Sequence, residues 1–94
     1  MTVAGAIINV RGVVQGVGFR YWCLRKAKEY NINGYVANLY DGSVEIIAEG
    51  NKGLIEDFLG ILRIGPTQGK VTDIRTQWYD KPRGYIDFRI EQRD

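Results

Sequence analysis

The apolar residues change period along the chain, and the changes mark its elements. Residues 6–13, Ala6-Ile7-Ile8-Asn9-Val10-Arg11-Gly12-Val13, are β-branched and partly alternating, which predicts a strand. Gly16 and Gly18 make residues 14–20 a loop. From Phe19 to Tyr30 the period lengthens. Phe19, Cys23, Ala27 and Tyr30 lie four, four and three apart, on one face of a helix, while Arg25, Lys26, Lys28 and Glu29 take the wet side. Asn31 or Gly34 can supply the left-handed exit.

Tyr35 to Tyr40 reads as a second strand, ended by the hairpin signal Asp41-Gly42. In its partner strand Val44, Ile46 and Ala48 alternate with Glu45, Ile47 and Glu49. Asn51 is placed to cap a second helix whose stripe is Leu54, Ile55, Phe58, Leu59 and Leu62. Gly65-Pro66 stops it. Two alternating stretches follow, Thr72-Ile74-Thr76-Trp78 and Ile86-Phe88-Ile90, with Asp80-Lys81-Pro82-Arg83-Gly84 as the turn between them. The order β-α-β-β-α-β-β predicts an α+β, ferredoxin-like α/β sandwich. Its mostly antiparallel sheet carries two helices on one face and leaves the other open. At 94 residues the chain is expected to form one domain, 1–94.

Composition narrows the chemistry. The chain has no His and one Cys. Imidazole bases, Ser-His triads and multi-cysteine metal sites are therefore excluded. The net charge of +2 is too mild to argue for nucleic acid or a membrane surface. No apolar run approaches the roughly 20 residues of a membrane span, and the start does not read as an export signal. The cytoplasm is the expected compartment, and the lone Cys agrees.

The richest local feature is the loop Gly12-Val13-Val14-Gln15-Gly16-Val17-Gly18-Phe19-Arg20, which ends at a helix start. Helix N-termini carry unpartnered N–H groups and a positive dipole end. Glycines let successive amides turn inward as an anion nest, and Arg20 adds a planar donor fork suited to phosphate. The loop is thus either a phosphate cradle or a glycine-rich turn with a surface Arg. It is not a Walker A loop, and it lacks the third glycine of a dinucleotide fingerprint. Cys23 lies on the apolar stripe and reads as core. Asp41 and Glu45 read as a solvated turn and strand face, and Tyr21, Trp22, Tyr35 and Tyr40 as packing. Asn38 is an amide inside a strand, where its type is depleted. Either it sits at an edge or it is a positioned hydrogen-bonding group.

At these residues the chain resembles the acylphosphatase family. The family's first signature is an apolar residue, any, Gly, any, Val-Gln-Gly-Val, any, Phe or Met, Arg. It stands complete here as Val10-Arg11-Gly12-Val13-Val14-Gln15-Gly16-Val17-Gly18-Phe19-Arg20. The second stands as Gly34-Tyr35-Val36-Ala37-Asn38, Gly42-Ser43-Val44 and Gly50. The likeness spans the chain. Its departures are Ala37 where a basic residue is common, Asn31 where Gly often ends the first helix, and Asn51 where acidic residues are frequent. None touches the matched catalytic positions.

The resemblance implies a hydrolase that splits acyl phosphates into carboxylate and phosphate. By similarity, the backbone amides of Gln15, Gly16, Val17, Gly18, Phe19 and Arg20 hold the phosphoryl oxygens together with the Arg20 guanidinium. Asn38 orients the attacking water. No metal, other cofactor or covalent intermediate is implied, and the expected partner is a small acyl phosphate met by a monomer. The chemistry is compatible with such a site. A carboxylate leaves without a protein acid, and phosphoryl transfer needs mainly positioning and charge stabilisation.

Three alternatives compete. A non-catalytic module that binds phosphate or an acyl phosphate would share the cradle. An RNA-recognition motif shares the element order, but Ile86 and Asp87 break its signature after Arg83-Gly84-Tyr85. The open sheet face could instead recruit a partner. The same signatures also introduce large hydrogenase-maturation carbamoyltransferases, and the end of the chain at residue 94 leads us to expect that it works alone or in trans. Without His, kcat should show no imidazole step near about pH 6.5. A rate profile measured across that region checks this.

Overall fold

The computed structural model describes residues 2–92. Its elements are β1 (Val3–Val13), α1 (Phe19–Glu29), β2 (Asn33–Asn38), β3 (Val44–Asn51), α2 (Lys52–Ile64), β4 (Lys70–Tyr79) and β5 (Phe88–Glu91). The five strands form one sheet in the order β4-β1-β3-β2-β5. β1 pairs antiparallel with β3 and β4, β2 antiparallel with β3, and β2 parallel with β5. This is the expected ferredoxin-like plan. α1 lies over β2 and β5, and α2 over β1, β3 and β4. The core between sheet and helices contains Ile8, Val10, Ile46, Phe19, Phe58 and Leu62, all fully buried.

The helix ends follow from their residues. Asn51 caps α2, its Oδ1 accepting from the Leu54 N–H at 3.1 Å. Of the two possible exits from α1, Asn31 takes the left-handed one, with φ 54°. Asn adopts this conformation more readily than other non-glycine residues.

The end of the chain departs from the expectation. Residues 80–84 do not form a short turn between paired strands, and Ile86 is 86% exposed rather than alternating inward with Phe88. The reason is topological. β4 and β5 sit at opposite edges, four strand spacings apart, or roughly 19 Å at about 4.8 Å each. Residues 80–87 must cross that distance, so β5 shortens to Phe88–Glu91. The sheet face opposite the helices is therefore not fully open, because this strap runs over it.

Glu49 holds the strap. Tyr79, Gly5, Glu49 and Asn33 stand in one row across β4, β1, β3 and β2. The Glu49 carboxylate accepts from the Tyr79 hydroxyl at 2.6 Å and from the N–H groups of Arg83, Gly84 and Tyr85 at 2.5, 3.1 and 3.3 Å. Asn33 Nδ2 donates to the Tyr85 carbonyl at 3.1 Å. Gly5 leaves room for the phenol, since a Cβ there would lie 2.2 Å from the Tyr79 ring. Glu49 is only 4% exposed. Burial works against its charge, but the hydrogen bonds from Arg83, Tyr79, Tyr85 and Gly84 outweigh it and hold the carboxyl below its usual value.

A carboxyl with a depressed folded-state pKa adds stability above its unfolded pKa, and that stability disappears as pH falls through the folded value. Glu49→Gln should therefore lose about 1–3 kcal/mol at neutral pH, because buried donors lose a charged acceptor. The gap to the unaltered protein should narrow over the range from neutral pH down to below the ordinary glutamate value. Urea unfolding at the two ends of that range measures both effects.

Candidate active site

Three strand ends meet at one rim of the sheet. β1 and β2 both run against β3 between them, and β5 runs with β2. The carboxyl ends of β1, β2 and β5 therefore face the same way. The loop before α1 follows β1, Asn38 is the last residue of β2, and Gln92 follows β5. Together they surround a cleft of about 300 Å³.

The loop is pinned at both ends by apolar anchors. Val14 and Phe19 are each 1% exposed, and Val17 packs partly against the core between them. Between the anchors Gly16 and Gly18 take positive φ, 75° and 76°. A Cβ at either would meet nothing within 4 Å, so glycine serves the backbone turn here rather than relieving a clash.

α1 starts from Gly18 without a side-chain cap and without an acidic residue in its first turn. The Gly18 carbonyl accepts the first helical bond, from Trp22 N–H at 3.1 Å. The N–H groups of Phe19, Arg20 and Tyr21 thus precede the hydrogen-bonded ladder and have no acceptor within the helix. Lys26 and Lys28 occupy the last turn, where they complement the negative end of the dipole. The helix presents donors and positive potential at its start, the arrangement that takes an anion.

Of the residues expected to hold phosphate, Gly16, Gly18, Phe19 and Arg20 line the cleft. Among the described residues no carboxylate pairs with Arg20. Asn38 also lines the cleft, and its buried Oδ1 has no hydrogen-bond partner among the described residues. A buried acceptor left unpaired costs about 1–3 kcal/mol, so this atom calls for a donor that the described residues do not supply. Gln15 and Val17 do not line the cleft with their side chains. Val17 faces the core, and Gln15 Nε2 donates to the carbonyls of Leu39 and Ser43, both at 2.8 Å.

The remaining candidates are structural. Cys23 is fully buried, and burial pushes its thiol well above the usual range. Asp41 accepts from Ser43 Oγ at 2.5 Å, Ser43 N–H at 2.9 Å and Arg11 Nη2 at 3.3 Å. The Ser43 bonds hold its carboxyl low. Glu45 accepts from the Tyr35 hydroxyl. Trp22 packs at 5.4 Å from the Phe19 ring and Tyr35 at 6.1 Å from Tyr85. Tyr21 and Tyr40 do not pack as expected, being 67% and 81% exposed. Among the described residues, no group of three His, Cys, Asp or Glu side chains is placed to hold a metal ion, and no helix is long and apolar enough to cross a membrane.

Sequence reasoning missed Val14, Tyr21, Ile90 and Gln92 on the cleft. For Tyr21 a signal existed, because it directly follows Arg20 in the first helical turn, where side chains flank an N-terminal anion site. Ile90 and Gln92 arrive through the strap and β5, and no local spacing carries that.

The acylphosphatase family model matches residues 6–90. The chain is 44% identical over 90 residues to an acylphosphatase of Moorella thermoacetica, covering 96% of each chain. It is 45% identical over 84 residues to one of Thermotoga maritima, covering 89% of this chain and 92% of that one. Among solved structures, acylphosphatase from Bacillus subtilis superimposes with a TM-score of 0.92 at 38% identity, over 94% of this chain and 98% of that one. Full-length HypF, in a phosphate- and nucleotide-bound form, superimposes with a TM-score of 0.88 at 30% identity, over 97% of this chain and 12% of its own. Matches that run the length of the chain in both sequence and fold leave one assignment, and the chain belongs to the acylphosphatase family.

Proposed function

We propose that this chain hydrolyses acyl phosphates by in-line attack of a water that Asn38 orients on a phosphoryl group held by the loop before α1. The reaction class follows from family membership. The residue roles are our reading, and the observation that carries them is Asn38, its buried Oδ1 unpaired among the described residues, on the lining of a cleft that the uncapped helix start also lines. The amides from Gln15 to Arg20 and the Arg20 guanidinium take the three phosphoryl oxygens, where charge accumulates in a loose transition state. Asn38 Oδ1 accepts from the water and aims its lone pair at phosphorus. The water oxygen bonds to phosphorus as the bond from phosphorus to the acyl oxygen breaks. The carboxylate leaves with that electron pair, and the water's proton passes to a phosphoryl oxygen.

These residues suit the task for a physical reason. A carboxylate is a stable leaving group, so no general acid is needed. A weakly bonded nucleophile in a loose transition state needs aim more than activation, which a neutral amide supplies. The 6–90 span of the family match supports treating residues 1–94 as one domain. Cys23 is a free buried thiol, which fits a reducing cytoplasm, and the chain is read as a monomer working there.

Hydrolysis of benzoyl phosphate, followed by ultraviolet absorbance with and without EDTA, tests the reading. Turnover should survive EDTA and be inhibited competitively by inorganic phosphate. Arg20→Gln should weaken phosphate binding roughly ten- to a hundredfold, the worth of a charged hydrogen-bond partner. Asn38→Ala should lower kcat about a hundredfold or more while KM changes little, because the aimed water matters in the transition state. Full kcat in Asn38→Ala would end the water-orienting role. Phosphate binding without turnover would instead support a non-catalytic binding module.

A further inference from the structure

We infer that the Gln15 side chain is a positioning residue that fixes Asn38 against the phosphate loop by clamping the neck of the β2–β3 hairpin. The inference rests on the proposed role of Asn38 as the residue that orients the water.

The clamp is explicit in the hydrogen bonds. Asn38 pairs with Val44 in the last rung of the β2–β3 ladder. The next pair, Leu39 and Ser43, closes the hairpin, with Leu39 N–H donating to the Ser43 carbonyl at 2.9 Å and Gly42 N–H to the Leu39 carbonyl at 3.2 Å. Each carbonyl oxygen has a second lone pair. Gln15 Nε2 has two N–H groups and reaches both oxygens at 2.8 Å, 24 and 28 residues away in sequence. Both of its amide hydrogens are thereby used, so the Nε2 of this side chain has nothing left to offer a ligand.

The location gives the clamp its meaning. Gln15 immediately precedes Gly16, the first glycine of the cradle, and Leu39 immediately follows Asn38. The covalent path between cradle and Asn38 runs through all of α1 and β2. The Gln15 amide shortens it to one side chain. A carbonyl of the hairpin neck does not need this donor, since each already accepts one backbone bond. What the bonds add is a fixed separation between the amides that hold the phosphoryl group and the amide that aims at it. In-line geometry is sensitive to such a separation, and a misplacement of about 1 Å can cost on the order of a hundredfold in rate.

The test is Gln15→Met, which keeps length and removes both donors, made alone and together with Asn38→Ala and assayed with benzoyl phosphate. The single variant should lose roughly ten- to a hundredfold in kcat, with the inhibition constant of inorganic phosphate changed by less than about threefold. In the Asn38→Ala background the same change should have almost no further effect on kcat, since there is no aimed water left to misplace. Independently of turnover, the side-chain amide signals of Asn38 in a nitrogen–proton spectrum should move or broaden. If Gln15→Met does not fold, Gln15→Asn, one methylene too short to reach both carbonyls, should show the same pattern. An unchanged kcat, equal losses in kcat and phosphate binding, an equal loss in the Asn38→Ala background, or unmoved Asn38 signals would each overturn the clamp. Failure of the underlying reading looks different, since there the unaltered protein does not turn over or Asn38→Ala alone keeps full kcat.

Discussion

The structure depends on a helix start that no side chain of its own satisfies. α2 opens conventionally, with Asn51 accepting from Leu54 N–H. α1 opens from a left-handed glycine with no cap and no acid in its first turn. Glycine in place of a capping side chain costs about a few tenths of a kcal/mol, and the positive φ at Gly16 and Gly18 makes the segment dependent on residues that add no packing. Burial of Val14, Val17 and Phe19 offsets this by tying both ends of the loop into the core. The result is a set of amide donors held rigidly and left without acceptors. Arg20 stands among them in the first turn of α1, and Asn38 lines the same cleft.

The sheet order explains why so few residues suffice. Threading β3 between β1 and β2 makes those two strands run the same way, and β5 joins them in parallel. Three separate chain segments thus deliver their carboxyl ends to one rim. The proposed chemistry needs a donor set on one side and an aimed acceptor on the other, and the topology provides both before any side chain is chosen. Side chains then refine the geometry. Phe19 secures the helix start, and the Leu39–Ser43 closing pair secures the end of β2.

Most of this was readable from residue order because it is local. The change of period at Phe19, the glycines of the loop, the Asp41-Gly42 turn and the Asn51 cap are each decided within a few residues. Asn38 was conspicuous because an amide sits poorly in a strand. What escaped was non-local. Residues 80–84 read as a simple turn and Ile86 as part of the last strand, since the alternation of Ile86 and Phe88 cannot reveal that the two edge strands lie at opposite sides of the sheet. Nothing in the residue order singles out Glu49, because its four donors come from residues 79–85. The Gln15 side chain was absorbed into a loop of backbone donors, although its amide points the other way, to carbonyls no spacing could have linked to it.

The strap also orders events in time. Ile90 and Gln92 line the cleft, and β5 covers the outer edge of β2. A chain emerging from the ribosome has its loop, its helix start and Asn38 in hand long before residues 88–92 appear. Until then β2 is an edge strand with unpaired backbone groups, open to pairing with another chain. The cleft closes and that edge disappears in the same step, when residues 80–87 have crossed the sheet and β5 pairs with β2. Docking of β5 therefore completes the cleft and covers the β2 edge together, and a long-range step of this kind is slow to form because its loop must be closed first.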